Sequence, residues 1–515
     1  MEKKRSSWAS NIGFLMAAIG SAVGLGNIWG FPYKMGKCGG FTFLIVYLVL
    51  AVLVGLPIMT SELALGRKTR LSPIKAYQKV SKRFSWLGWL ATLAPFLIMT
   101  FYSVLGGYCI YYIVINAIGL FSGNMPDSSS FAAMITNIPA SVGVLVAFMV
   151  ICMVIVAGGV SGGIEKFNKV GMPALAVMLL IIIIKAWTLP NASEGLKFMF
   201  VPGYAVKGGF IEEAPDFISV LATAGGQMFF SLSLAMGIMI TYGSYLNESE
   251  NLVKNSGVII AADTIVALGA GLAVIPAAVA TGINKGMAVS EIKLNGPGLL
   301  YSTLQDVFHD MGAIGGLFGI IFYLLVLIAA ISSAISLMEV LTSHFMDKAE
   351  EKGKTGDRKK ITLWVSVAIT VLGALVAADG LGSNGIAPFE LFGIENVKGW
   401  NDCWLDFMDC WSEGIAMPAG AMLMGLMIGG ELGPHFFLDE ISNGNDSKKF
   451  PAFYKFCITY VVPLVMCFVL AGMLNDFLFT QSMSYIVAVG TLVIFAYHTL
   501  RPDFDKLPDV NPENK

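Results

Sequence analysis

Gly20-Ser21-Ala22-Val23-Gly24-Leu25-Gly26-Asn27-Ile28-Trp29-Gly30-Phe31-Pro32 puts four glycines and a proline inside an apolar run long enough to cross a bilayer. Each glycine costs a helix about 1 kcal/mol relative to alanine, so an uninterrupted helix here is disfavoured. Non-helical backbone at membrane depth is tolerated only where protein buries it or where it lines a cavity. Taken alone, Gly20 and Gly24 fit close helix packing through a small-xxx-small pattern equally well.

The surrounding chain is that of a polytopic helical membrane protein. Its 515 residues are 56% hydrophobic and 13% charged, with a mean hydropathy of +0.72. Counting glycine and leaving out tyrosine, roughly 64% is apolar, against about 45–50% for soluble domains. That composition excludes a soluble enzyme, a disordered chain and a collagen. Seven scattered cysteines exclude a disulfide scaffold, and Cys403 and Cys410 stand about 10 Å apart along one helix, too far to bond. The net charge of -2 gives no case for nucleic acid.

Twelve runs reach the roughly 20 residues that a spanning helix needs. They fall at 11 to 34, 41 to 68, 86 to 121, 139 to 157, 167 to 188, 216 to 245, 252 to 283, 313 to 347, 361 to 379, 403 to 432, 450 to 473 and 477 to 499. With both termini inside, Lys3, Lys4, Arg5, the basic cluster from Arg67 to Arg83 and the stretch Lys348 to Lys360 share one side. The other side receives only Lys34, Lys37, Lys197, Lys207, Lys285, Lys293 and Lys398, which sets the orientation. The expected organisation is a cytoplasmic N-terminus at 1–10, a first repeat of five helices at 11–188, a second at 216–432, two further helices at 450–499 and a cytoplasmic C-terminus at 500–515. The first run reads as a retained helix, since no small-residue cleavage site follows it.

Phosphate-loop and dinucleotide motifs fail. Lys348 stands where the first glycine before Gly353-Lys354-Thr355 belongs, and Trp29 replaces the third glycine after Gly24-Leu25-Gly26. His309, His344, His435 and His498 are too dispersed for a zinc cluster. A second polar interruption, Gln227-Met228-Phe229-Phe230-Ser231-Leu232-Ser233-Leu234-Ala235-Met236-Gly237, falls in the sixth run. Interhelical hydroxyl bonding explains it alone. The pairing decides otherwise, because corresponding breaks in the first helix of each half mark a transporter site at the junction of inverted repeats.

Several segments then agree with one family: SAVGLGNIW with Phe31-Pro32, GLPIMTSELALGR at 55–67, FYSVLGGY at 101–108, SGGIEKFNKVGMP at 161–173, QMFFSLSLAMG, GPGLLY at 296–301 and AAISSAISL at 329–337. Over nearly its whole length the chain resembles the neurotransmitter:sodium symporters, and among them bacterial amino acid transporters. The resemblance implies an all-α fold of twelve helices, an inverted 5+5 repeat with helices 1 and 6 discontinuous, and sodium-coupled uptake of a neutral amino acid.

It also implies site residues. One sodium ion would take the carbonyls of Gly20, Val23 and Ala329 and the hydroxyls of Ser332 and Ser333, although paired serines in a membrane helix otherwise bond back to their own turn. A second would take the Ala22 carbonyl, Asn27, Ser231, Asp263 and the substrate carboxylate. A carboxylate at the depth of Asp263 costs about 3 kcal/mol unless it is paired. It matches the chloride-independent bacterial pattern, so no chloride is expected. Monoamine carriers place aspartate at position 24; Gly24 favours an α-amino acid. Its carboxylate would meet the amides of Leu25 and Gly26 and the Tyr102 hydroxyl, and its ammonium the carbonyls near Ser21, Ala22, Phe229, Phe230, Ser231 and Ser233. Val104, Phe230, Met236, Ser333 and Leu337 would line an apolar side-chain pocket, which core packing alone would also explain.

Arg5, Trp8, Ser244, Tyr245 and Asp347 match the family's inner gate. Gly163 and Pro173 bracket a segment able to unwind, and Glu62 is expected to brace unwound backbone, with partnership to Arg67 as the alternative. The outer gate departs: the family's arginine is here Gly30, leaving Asp409 without that partner and Lys34 as a substitute through water. The partners implied are a small amino acid and the lipid bilayer, with no nucleic acid and the homo-oligomeric state left open. A missing cysteine pair between helices three and four points to a bacterial inner membrane. A non-transporting sensor of the same fold is the rival reading, and a passive channel would need a continuous polar pore.

Overall fold

The computed structural model describes residues 7–292, 294, 298–354, 356–393, 402–443, 450–477 and 490. Helix dominates, because lipid offers backbone groups no partners and each segment must satisfy its own. The helices that matter here are α1 (Asn11–Ala22) and α2 (Gly26–Lys37), then α3 (Phe41–Thr69), α4 (Leu87–Ser122), α5 (Ile138–Ala157) and α6 (Val160–Trp187). After a connecting stretch come α7 (Phe217–Ser231), α8 (Ile238–Gly243), α9 (Leu252–Asn284), α10 (Ala313–Glu351), α11 (Arg358–Asp379), α12 (Trp404–Leu432) and α13 (Phe450–Leu474). Eleven of the twelve expected spans fall among the described residues; the run at 477 to 499, apart from residues 477 and 490, and the tail at 500–515 lie outside them.

The two interruptions are real. The chain bends by 46° between α1 and α2, with Val23 extended at the end of α1. Residues 232–237 separate α7 from α8. Gly237 turns there in the left-handed region at φ +72°, a conformation its missing side chain makes cheap.

Packing follows the repeat. α3 lies against α7, and its counterpart α9 lies against α1 and α2. Among the described residues α4 and α10 form the most extensive helix contact, and α5 and α11 pair beside them. These last four helices make a scaffold, and the broken pairs run between it and α3 and α9. All seven cysteines are buried. The site is therefore held by long unbroken helices, while its polar backbone comes from the two breaks.

Candidate functional site

The carbonyls at the end of α1 point at two adjacent serines on α10. Ser332 donates to the Ala329 carbonyl of its own helix at 2.8 Å and to the Val23 carbonyl at 3.4 Å. Ser333 donates to the carbonyls of Ser21 at 2.9 Å, Gly20 at 3.4 Å and Val23 at 3.5 Å. The back-bonding alternative for Ser332 is thus also present, and the same hydroxyl reaches across to α1. The five groups expected around one ion share a buried cluster. Rotation of the two hydroxyl hydrogens would turn it into five oxygen donors, the set a hard cation prefers.

A second cluster forms around Asp263, fully buried on α9. Asn27 Nδ2 donates to Asp263 Oδ1 at 2.7 Å, and Ser231 Oγ lies 3.0 Å from both carboxylate oxygens. The Tyr47 hydroxyl, on α3, donates to Oδ2 at 3.0 Å. Sequence reading named Asn27, Ser231 and Asp263 and missed Tyr47, whose only signal is a hydroxyl within the apolar stretch Phe41–Leu50. Asn27 Oδ1 also accepts from the Gly24 amide at 3.0 Å. One side chain thus ties the break in α1–α2 to α9.

The breaks are bonded to each other. Ser233 Oγ donates to the Ser21 carbonyl at 2.9 Å, and Ser21 Oγ to Ser233 Oγ at 3.2 Å. Glu62 on α3 accepts the Ala235 amide at 3.0 Å, bracing the unwound turn as expected. Arg67 pairs instead with Glu440 at 2.5 Å, so it is not the partner of Glu62.

Between the two clusters lies a narrow cavity lined by Ser21, Ala22, Gly24, Gly26, Ile98, Tyr102, Phe230, Ser233, Met236, Ile238, Ser333 and Leu337. The Leu25 amide donates to the Tyr102 hydroxyl at 3.0 Å, and the Tyr102 and Phe230 rings stand 6.4 Å apart over the cavity. Phe229, Ser231, Leu25 and Val104 do not line it; Val104 is buried elsewhere on α4. Ile98 takes that place, one helical turn before Tyr102 on the same face, a spacing that could have revealed it. Ile238, at the start of α8, was also missed. A Cβ at position 24 would stand 2.3 Å from Ser333 Oγ and 2.6 Å from the Tyr102 hydroxyl, so the cavity depends on glycine there.

Below the cavity, Trp8 docks on α8. Its indole nitrogen donates to the Tyr242 carbonyl at 3.1 Å, and its ring meets those of Tyr242 and Tyr245 edge-on. Tyr245 donates to Glu339 at 2.8 Å, and Arg358 forms a two-pronged ion pair with the same carboxylate. Sequence reading named neither partner of that pair, although Glu339, within the apolar run 313 to 347, carries the same signal as Asp263. Of the other inner residues expected, Ser244 bonds its own helix at the Thr241 carbonyl and Asp347 accepts the Ser72 amide at 2.6 Å. Arg5 lies outside the described residues.

Above the cavity, Lys34 forms its ion pair with Glu413, one turn beyond Asp409 on α12. The physical reason is reach: from α2 the ammonium arrives at the carboxylate directly, where a contact with Asp409 was expected through water. At position 30 a Cβ would stand 2.8 Å from Gln227 Oε1, while Gln227 Nε2 bonds the Gly26 carbonyl at 2.7 Å.

Two helices broken at mid-depth, facing each other inside a bundle of long helices and enclosing a small polar-and-apolar cavity, define a secondary transporter. The comparisons name its kind. The model of the sodium:neurotransmitter symporter family matches residues 5–136 and 130–497, and the chain belongs to that family. The sodium-dependent transporter YhdH of Bacillus subtilis is 34% identical over 479 residues, 92% of this chain and 99% of the relative. The sodium-dependent transporter MJ1319 of Methanocaldococcus jannaschii is 30% identical, over 90% of this chain and 89% of the relative. The fold is similar to the crystal structure of MhsT in complex with L-phenylalanine, with a TM-score of 0.77 and 32% identity, covering 91% of this chain and all of that one. The protein is a multi-span, sodium-dependent membrane transporter and not an enzyme.

Proposed function

We propose that the protein carries neutral, hydrophobic or aromatic L-amino acids inward with two sodium ions, without chloride, by alternating access. The location proposed is a bacterial inner membrane with both termini cytoplasmic. The observation that carries this reading is the paired cluster: five oxygens from α1 and α10 on one side, and Asn27, Ser231 and Asp263 on the other, flanking one cavity. The cavity wall supplies the rest. Amides around Leu25 and Gly26 and the Tyr102 hydroxyl suit a carboxylate, whereas Ile98, Met236, Ile238 and Leu337 suit an apolar side chain. Met236 repacks readily, which favours a range of side chains over one. MhsT holds L-phenylalanine, a member of this class.

In the proposed cycle the chain forms no covalent bond. Substrate carboxylate and sodium stabilise each other beside Asp263, while the second ion ties α1 to the scaffold helix α10. Two ions crossing 100 mV contribute about 4.6 kcal/mol, and tenfold gradients about 2.8 kcal/mol more. That sum supports up to roughly 10⁵-fold accumulation of a zwitterion.

The test is a panel of amino acids competing for binding and counterflow in proteoliposomes, in sodium and in choline. Saturable, sodium-dependent flux of hydrophobic amino acids is expected. Binding without flux would indicate a sensor, and flux without sodium dependence a channel.

A further inference from the structure

The cluster at the end of α1 has a neighbour that none of its five groups uses. Asn168, on α6, is fully buried, and its Nδ2 donates to the Ile164 carbonyl at 2.9 Å. That bond fixes the amide, because the flipped orientation would set two carbonyl oxygens against each other. Oδ1 is left without a hydrogen-bond partner. It is aimed at Gly20: a Cβ there would stand 2.0 Å from Oδ1 and 2.8 Å from Asn168 Cγ. Only glycine admits this approach, and the carbonyl of that same glycine belongs to the cluster with Ser333.

Buried oxygens are nearly always paired, so one packed against Gly20, a residue whose carbonyl belongs to the cluster, calls for a partner. The nearby ammonium of Lys169 is 2.7 Å from Glu165, which also accepts the Ala9 amide. Resting on the sodium reading of the cluster, we propose that Asn168 is a sixth oxygen for the ion held by Gly20, Val23, Ala329, Ser332 and Ser333. The carboxamide meets the ion from the α6 side, the side bracketed by Gly163 and Pro173. Pro173 has no N–H for the Lys169 carbonyl, which leaves this turn of α6 easier to deform as the ion departs.

The experiment titrates the full-length protein with sodium alone, following hydrogen exchange across residues 158–172, and repeats the titration with saturating L-phenylalanine. Asn168→Leu keeps the shape and removes the oxygen; it should raise half-saturating sodium at least fivefold and leave amino acid affinity at saturating sodium within twofold. Asn168→Asp should lower half-saturating sodium below the wild-type value. Ser332→Ala is the reference. If Ser332→Ala shifts the sodium titration and Asn168→Leu superimposes on wild type, this inference is overturned and the site reading stands. If neither variant shifts, the sodium reading of the cluster falls with it. An Asn168→Leu protein that weakens sodium and amino acid equally, or an Asn168→Asp protein no tighter than wild type, also overturns the proposal.

Discussion

Asn27 and Asp263, 236 positions apart, are joined by a 2.7 Å hydrogen bond in the fully buried interior. The contact locks the break between α1 and α2 to an unbroken helix of the second repeat. Ser231 and Tyr47 are the carboxylate's other side-chain partners, so among the described residues the charge is held by three donors and no cation. A buried anion so arranged is suited to an incoming cation.

Asp263→Asn should therefore raise half-saturating sodium at least tenfold, since an amide brings no charge and cannot accept all three donors. Wild-type uptake into proteoliposomes should be equal in chloride and gluconate, and the variant's residual uptake should be greater in chloride. Strict chloride dependence of the wild type would sink the chloride-independent reading.

Gly24→Ala places a methyl group 2.3 Å from Ser333 Oγ and 2.6 Å from the Tyr102 hydroxyl. Both neighbours are themselves buried and bonded, so neither yields cheaply. Amino acid binding should fall by about 100-fold or more while the protein remains monodisperse in detergent. Binding within threefold of wild type, by scintillation proximity, would show that the cavity does not use this glycine.

The breaks, the spans and most of the site were legible because membrane burial leaves few reasons for a glycine, a serine or an acid at mid-depth. Gly20, Asn27, Ser231, Asp263 and Ser332 stand out against apolar surroundings, and the structure brings them together. Ile98 and Ile238 did not stand out: an apolar wall residue and an apolar lipid-facing residue have the same composition, and only the three-dimensional path separates them. Asp409 was named because it stands where the family's aspartate does, and Glu413 was not named, since the reach of Lys34 across to α12 is not written in linear spacing. Glu339 was legible in principle, but its partner Arg358 lies on the next helix, beyond any local pattern.

Ala235 occupies the left-handed region at φ +59°, with its amide bonded to Glu62. For an L-residue with a side chain that conformation costs about 1–2 kcal/mol, partly offset in a glycine variant by the extra entropy of its unfolded chain. Ala235→Gly should raise thermal stability in detergent modestly. Glu62→Ala should lower it by more, because a buried amide then loses its acceptor. A fluorescence-detected melting curve checks both, and a destabilised Ala235→Gly would show that the turn gains more from the methyl group's contacts than it loses in strain.

The ion pair of Lys34 and Glu413 is partly shielded, with side-chain exposures of 14% and 8%. Fully exposed pairs contribute about 0–1 kcal/mol, while breaking a buried one costs about 3–5 kcal/mol, so a coupling between those limits is expected. It should appear in the dissociation rate of the amino acid, since the pair joins α2 to α12 above the Tyr102 and Phe230 rings. Lys34→Met should speed dissociation about tenfold, and Glu413→Gln in that background should add little more. Asp409→Asn in the same background should behave more nearly as an independent change. The double-mutant cycles decide which carboxylate closes the outer side. A larger coupling of Lys34 to Asp409 than to Glu413 would mean that the lysine changes partners when substrate is bound.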